Sequence, residues 1–273
     1  MSIRIPRILA AVYGQPWAVL PSTLQVISET VNRYAMKRAD YVQPDPNEDP
    51  EDQQPTKQNI GKVGLVLMQG IIGSHLSSME TDCGGYDLDA FRDDMEAMAS
   101  DARVENVLLV VRSPGGCVTG VPEAAAIVAN FPKPVVALTD DMAASAAYWI
   151  ASQANEVWIT PSSEAGSIGV YSAIVDESAA WAKEGYKLEL MKAGKHKATG
   201  IPGLPLSDED KAMVQAEVDE LYSEFKATVN AKRPQVSDES MQGQMFRGQK
   251  AVEAGLADML VSGIGEAVQI LSA

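Results

Sequence analysis

The sequence predicts an α/β domain with a largely parallel sheet, and three observations carry that expectation. Short β-branched and apolar runs alternate with helix-like runs through residues 62–200. Val63-Gly64-Leu65-Val66-Leu67 and the run from Val104 to Val111 are almost continuously apolar, as strands covered on both faces are. One long run, Ser207 to about Arg233, places Val214, Val218, Leu221, Tyr222, Phe225 and Val229 on one helical face.

Taken in order, residues 1–36 read as a helical arm. Leu20, Leu24, Ile27 and Val31 recur at helical spacing after the start signal Pro21-Ser22-Thr23. Residues 37–60 read as an acidic, Pro-rich linker: the stretch from Arg38 to Asn59 holds four prolines and little to bury. The main domain is expected over 61–273. Its first strand continues toward Ile71-Ile72, with turns at Gly70, Gly73 and Gly84-Gly85. Leu88 to Ala99 is helical, with Phe91, Met95 and Met98 on one face.

The strand ending at Val111 leads through Arg112-Ser113-Pro114-Gly115-Gly116 into a helix from Val118 to Asn130. A strand at Val135, a helix from Ala146 to Ala154 and a strand at Glu156 to Thr160 follow. Val170 to Val175 and Lys187 to Met191 are expected as strands, with a helix from about Glu177 to Lys183 between them. Ser207 and Asp210 resemble a capping box at the start of the long helix. A short helix from Gly248 to Gly255 and the apolar run Ala257 to Val261 end the series.

Bulk composition excludes several functions. The chain has 273 residues and a formal charge of −15, which argues against binding nucleic acid or an anionic membrane. Cys83 and Cys117 follow no metal spacing, and reduced thiols in a cytoplasmic protein are expected. No run approaches the ~18–20 apolar residues of a membrane span. Ile8 to Tyr13 is short for a signal-peptide core. A soluble, non-exported protein without metal or cofactor is expected.

Ser145 lies where a strand turns into a helix, with two alanines on either side. Small neighbours permit a tight turn, and a helix N-terminus offers unpaired N–H groups to developing negative charge. Serine in that place is also an ordinary N-cap. Gly115-Gly116 at a strand-to-helix junction lets backbone N–H groups face a ligand, though an ordinary tight turn reads the same way. The basic stretch Lys192 to Gly200 in an acidic chain reads as a solvated loop or as the source of a base. Only His75 and His196 could serve a histidine mechanism.

The ordered set Ser-Pro-Gly-Gly at 113–116, Ala-Ala-Ser-Ala-Ala at 143–147, Gly-Ser-Ile-Gly-Val at 166–170 and Lys-His-Lys at 195–197, with Phe246 to Asp258, resembles the S49 serine peptidases. That family includes signal peptide peptidase A. The likeness covers about residues 62–262 and is closest to the head-assembly (capsid maturation) proteases of lambdoid tailed bacteriophages, whose arm Gln15-Pro16-Trp17 also resembles. The resemblance implies a ClpP/crotonase-like fold of repeated β-β-α units and a Ser–Lys dyad.

By motif position the nucleophile is Ser145 and the base Lys197, with Ser167 orienting the lysine. Residue chemistry alone leaves Lys195 and Lys197 level; the family pattern selects Lys197. The oxyanion donors implied are the N–H groups of Gly116 and Ala146, and an extended peptide would add as a strand along Gly115-Gly116 and Gly169-Val170. The family likeness also implies a closed homo-oligomer, protein or peptide substrates such as scaffold or capsid proteins, and work in the host cytoplasm or the assembling phage head. Two other readings keep much of this framework: a bacterial signal-peptide-degrading peptidase, and a crotonase-type acyl-CoA enzyme.

Overall fold

The computed structural model describes residues 16–23 and 56–273. Strand β1 is Trp17–Val19; β2, Lys57–Ile60; β3, Val63–Gln69; and β4, Ile71–Gly73. Helix α1 (Ser78–Asp82), strand β5 (Gly85–Asp87) and helix α2 (Leu88–Ser100) follow. Next come β6 (Asn106–Arg112), β7 (Gly115–Cys117), α3 (Val121–Ala129), β8 (Val135–Thr139), β9 (Met142–Ala144) and α4 (Ala146–Ala151). The remainder is β10 (Glu156–Ile159), β11 (Glu164–Gly166), α5 (Ser178–Lys183), α6 (Asp208–Lys232), β12 (Met245–Arg247), α7 (Gln249–Glu253), β13 (Met259–Leu260) and α8 (Ile264–Leu271).

The topology is a repeat. Strands β3, β6, β8 and β10 run parallel in a six-stranded sheet of order β13-β10-β8-β6-β3-β2, in which only β2 is antiparallel. Each of the four is followed at once by a three-residue strand that leaves that sheet. β4 and β7 pair in one small sheet, β9 and β11 in another. These are the repeated β-β-α units of a ClpP/crotonase-like fold.

The long strands are covered on both faces, which is why their sequences run apolar without alternation. One face packs Val107, Leu109 and Val111 against Phe91, Met95, Val121 and Trp149 from the helices. The other packs Val63, Leu65, Leu108 and Val136 beneath Ala267 of α8. Ser207 caps α6 by accepting from the Asp210 N–H at 3.1 Å. Of the residues of α6 only Phe225 and Val229 are fully buried. Phe225 stacks on Trp149 of α4 with ring centroids 4.4 Å apart.

Four expectations change. Trp17–Val19 is extended, not helical, because Pro16 and Pro21 bracket a Trp-Ala-Val run that finds two strand partners; a helical turn starts only at 21–23. The rest of the expected arm and most of the expected linker lie outside the described residues. Residues Lys57–Ile60, placed in the linker, form an exposed edge strand against β3. Of Val170 to Val175 only Tyr171 pairs, as a single bridge to Trp17. Lys187 to Met191 forms no strand, since it lies against no sheet edge and Met191 is 90% exposed.

Truncating Phe225→Ala should destabilise the domain by roughly 3–5 kcal/mol, since the ring and its stacking partner are both buried. A urea unfolding midpoint compared with the parent measures it.

Candidate active site

Ser145 joins β9 to α4 with backbone angles φ 54° and ψ −121°, a region costly for any residue with a Cβ. Among the described residues only His75, Ser145 and Ser167 combine a side chain with positive φ. Two of these three are site candidates, and they are neighbours. The Ser145 N–H donates to the Gly166 carbonyl at 2.8 Å, and β9 and β11 pair in parallel with Ala144 opposite Gly166. On the far side the Ser167 N–H donates to the Gln244 carbonyl at 2.6 Å. The strained turn is thus held from outside by the small sheet.

Residues 146–151 are all buried, and the Tyr148 hydroxyl donates to the Leu256 carbonyl at 2.8 Å. Ala146 opens α4, where N–H groups lack intrahelical partners. Ser145 is 1% exposed, and its hydroxyl makes one long contact, to the Gly169 carbonyl at 3.4 Å.

The Ser-Pro-Gly-Gly turn is fixed by a residue that the residue-by-residue reading passed over. Buried Ser113 donates its hydroxyl to the Gly70 carbonyl at 2.6 Å and accepts from the Gly115 N–H at 3.1 Å. Beside it, Arg112 and Asp140 form a two-point ion pair at 2.7 and 2.8 Å that ties the ends of β6 and β8 together. Hydrogen bonding to Arg112 holds the Asp140 carboxyl below its ordinary range. Gly115 has φ 96°, and a Cβ there would lie 3.0 Å from both the Ala144 carbonyl oxygen and Ser145 Cβ. At Gly116 a Cβ would lie 1.9 Å from the Ile72 carbonyl oxygen. Only glycines bring this backbone against the serine turn.

Ser145, Ser167, Gly115, Gly116, Ala146, Gly169 and Val170 therefore come together. A cavity of about 380 Å³ opens beside Ser167, Gly169 and Val170, lined also by Val19 and Tyr171 and closed by Val218 and Tyr222 of α6. Tyr171 was not singled out from sequence. Its hydroxyl is buried without a hydrogen-bond partner, and burial pushes its pKa up to about 12.

Lys197 stands apart. It is exposed, and among the described residues its ammonium has no hydrogen-bond or ion-pair partner. Its loop is anchored to the start of α6. Asp210 takes Thr199 Oγ1 at 2.7 Å and His196 Nδ1 at 3.1 Å, while Lys195 pairs with Glu209. Hydrogen bonds from Ser207, Thr199 and His196 hold the Asp210 carboxyl well below the usual range. That anchor is complete above the ordinary carboxylate pKa and is lost as pH falls through the lowered value. His75 pairs with Asp89, away from the serine turn.

The model for peptidase family S49 matches residues 129–272, which include Ser145, Ser167 and Lys197. The chain belongs to peptidase family S49.

Among curated relatives of this S49 chain, the capsid assembly protease C of Escherichia phage lambda is 31% identical over 210 residues, covering 75% of the chain and 48% of the relative. The head-tail preconnector protein GP5 of Enterobacteria phage P21 is 29% identical over 218 residues, covering 78% and 43%. The chain thus spans less than half the length of these two proteins. An enoyl-CoA hydratase from Shewanella pealeana superposes with a TM-score of 0.46 at 11% identity, covering 79% of the chain and 71% of that structure. Among the described residues no helix is long and apolar enough to cross a membrane, and no acidic, His or Cys cluster could hold a metal ion.

The strain at Ser145 has a measurable consequence. Ser145→Gly should be more stable than Ser145→Ala by about 1 kcal/mol, because glycine adopts this backbone without the Cβ penalty. Paired urea denaturation curves test it; equal midpoints would show that the turn carries no strain.

Proposed function

We propose that this chain is a serine endopeptidase in which Ser145 attacks the peptide carbonyl and Lys197 is the base. The observation that carries the reading is the positive-φ turn at Ser145, which brings the nucleophile between the Gly115-Gly116 backbone and the start of α4. Lys197 Nζ takes the hydroxyl proton as Oγ bonds to the carbonyl carbon. The oxyanion is received by the N–H groups of Gly116 and Ala146. Collapse expels the amine, which takes the proton from Lys197 and leaves an acyl ester on Ser145. Water, deprotonated by the same lysine, releases the acid and restores the serine. Ser167 orients the lysine, and the substrate strand lies along Gly115-Gly116 and Gly169-Val170.

A lysine works as a base only when neutral, and burial against apolar surface is what favours the neutral form. The exposed setting of Lys197 in the single chain therefore calls for a covering surface. The segment that carries it also exposes Val175 (58%), Tyr186 (66%) and Met191 (90%), apolar surface that a partner copy would cover. We assign the cover to further copies of the same chain in a closed homo-oligomer. The phage relatives named for capsid assembly and the head-tail preconnector support a role in phage head assembly, with scaffold or capsid proteins as substrates.

Ser145→Ala and Lys197→Ala should each lower hydrolysis of an extended fluorogenic peptide by at least a thousandfold, whereas Lys195→Ala keeps most of it. Fluorophosphonate labelling should be lost in the serine variant. A dead Lys195→Ala with an active Lys197→Ala would reassign the base, and an active Ser145→Ala would remove the mechanism.

Met191→Asp should dissociate the oligomer and lower peptide hydrolysis together with it. Sedimentation velocity run alongside the activity assay measures both. A parent chain that sediments as a fully active monomer would overturn the assembly.

A further inference from the structure

Strand β1 lies in the slot proposed for the substrate. Trp17, Ala18 and Val19 pair antiparallel with Cys117, Gly116 and Gly115. The Leu20 N–H extends the ladder to the Pro114 carbonyl at 3.1 Å. On its other edge, the Trp17 N–H donates to the Tyr171 carbonyl at 2.8 Å, and the Tyr171 N–H returns to the Trp17 carbonyl at 3.0 Å. β1 is therefore the middle strand between the Gly115–Cys117 edge and the backbone just beyond Gly169-Val170.

The fit reaches the nucleophile. The Ala18 carbonyl oxygen lies 2.2 Å from the position a Gly115 Cβ would take, and Ser145 Cβ lies 3.0 Å from the same point. Gly116, whose N–H is the proposed oxyanion donor, stands in register with Ala18. Side chains alternate as a bound strand requires. Trp17 and Val19 pack with Cys117 on one face, beside Ile71, Leu76 and Tyr171. Ala18 points the other way, into the core that includes Ala143 and Ala146. The three residues are 0%, 0% and 2% exposed, and Ser145 beneath them is 1% exposed.

Each edge of a strand accepts one ladder partner. The other edge of β7 is taken by β4 through the Ile72–Gly116 pair. No second edge of β7 is left for a substrate while β1 is in place.

We propose that β1 is an internal blocking strand: it occupies the substrate slot of its own chain, and a peptide is bound only after β1 leaves. The inference rests on the reading of Gly115-Gly116 and Gly169-Val170 as substrate edges. The occupant also defines the ligand the slot prefers, an uncharged extended segment with a small residue in register with Gly116 and larger apolar residues on either side. A tethered strand competes at an effective concentration on the order of millimolar, so untethered peptides start at a disadvantage. The 32 residues between Thr23 and Thr56 could span about 100 Å when extended, which lets β1 leave without opening the domain.

Trp17 and Cys117 face each other across an antiparallel pair, a separation that a disulfide can bridge. The test is therefore a reversible lock, Trp17→Cys in the full-length chain with exposed Cys83 changed to Ser. Diamide serves as the oxidant, and mass spectrometry verifies the cross-link. The oxidised protein should hydrolyse a fluorogenic peptide at least tenfold more slowly than the same protein after reduction.

The same pair of states in a Ser145→Ala background, probed by fluorescence anisotropy with a labelled peptide of the Gln15–Ser22 sequence, should bind only when reduced. Failure to cross-link, or equal hydrolysis and binding in the two states, overturns the blocking strand. Redox-dependent binding without hydrolysis in either state of the Ser145 protein would keep the slot and overturn the peptidase chemistry instead.

Discussion

Ser145 cannot hold its backbone unaided. A serine at φ 54° is kept there by the Gly166 carbonyl, by the β9–β11 pairing and by a fully buried α4 behind it. The rest of the fold supports that turn. The parallel strands β6, β8 and β10 deliver β7, β9 and β11 to one side of the sheet, and Tyr148 and Trp149 pin α4 to Leu256 and Phe225. Removing any one support leaves a strained residue with less to oppose its relaxation.

Stability is distributed unevenly around this turn. The serine, the two glycines and the start of α4 lie in the packed core, whereas the segment from Tyr171 to about Leu206 has few buried side chains and one short helix. Within the segment Trp181 packs against Gly203, and the Asp210 contacts with Thr199 and His196 tie it to the start of α6. Low local contact with the core marks a part that opens or rearranges at small cost. With the proposed nucleophile on the rigid half and the proposed base on the loose half, the proposed site is half pre-organised.

The long elements were legible because their signals are local. Continuous apolar runs marked β3 and β6, periodicity marked α2, and a cap with periodicity marked α6. Of the three-residue strands only β4 was glimpsed, as a continuation of β3 toward Ile71-Ile72; β7, β9 and β11 were not legible, because they exist only through partners distant in sequence. β2 is polar and exposed along its whole length, so no pattern marks it. Lys187 to Met191 alternates like a strand and is not one, since alternation has no force without an edge to pair with. At the site, Ser145, Ser167 and the two glycines were visible from small-residue motifs. The setting of Lys197 was not, because burial of a surface lysine depends on what covers it.

β1 was masked by the helical spacing of the residues that follow it, yet it bears directly on the site. Two conditions separate the single chain from a working Ser–Lys site if Lys197 is the base and β1 blocks the slot: the slot must be vacated, and the lysine must be covered. The first is a competition within one chain, governed by how firmly Trp17 and Val19 stay buried. The second depends on concentration, because it needs other copies. A peptidase gated in both ways stays silent while dilute and acts only where copies and extended substrates accumulate together. A confined assembly would supply such conditions, and a bystander protein in dilute solution would not meet them.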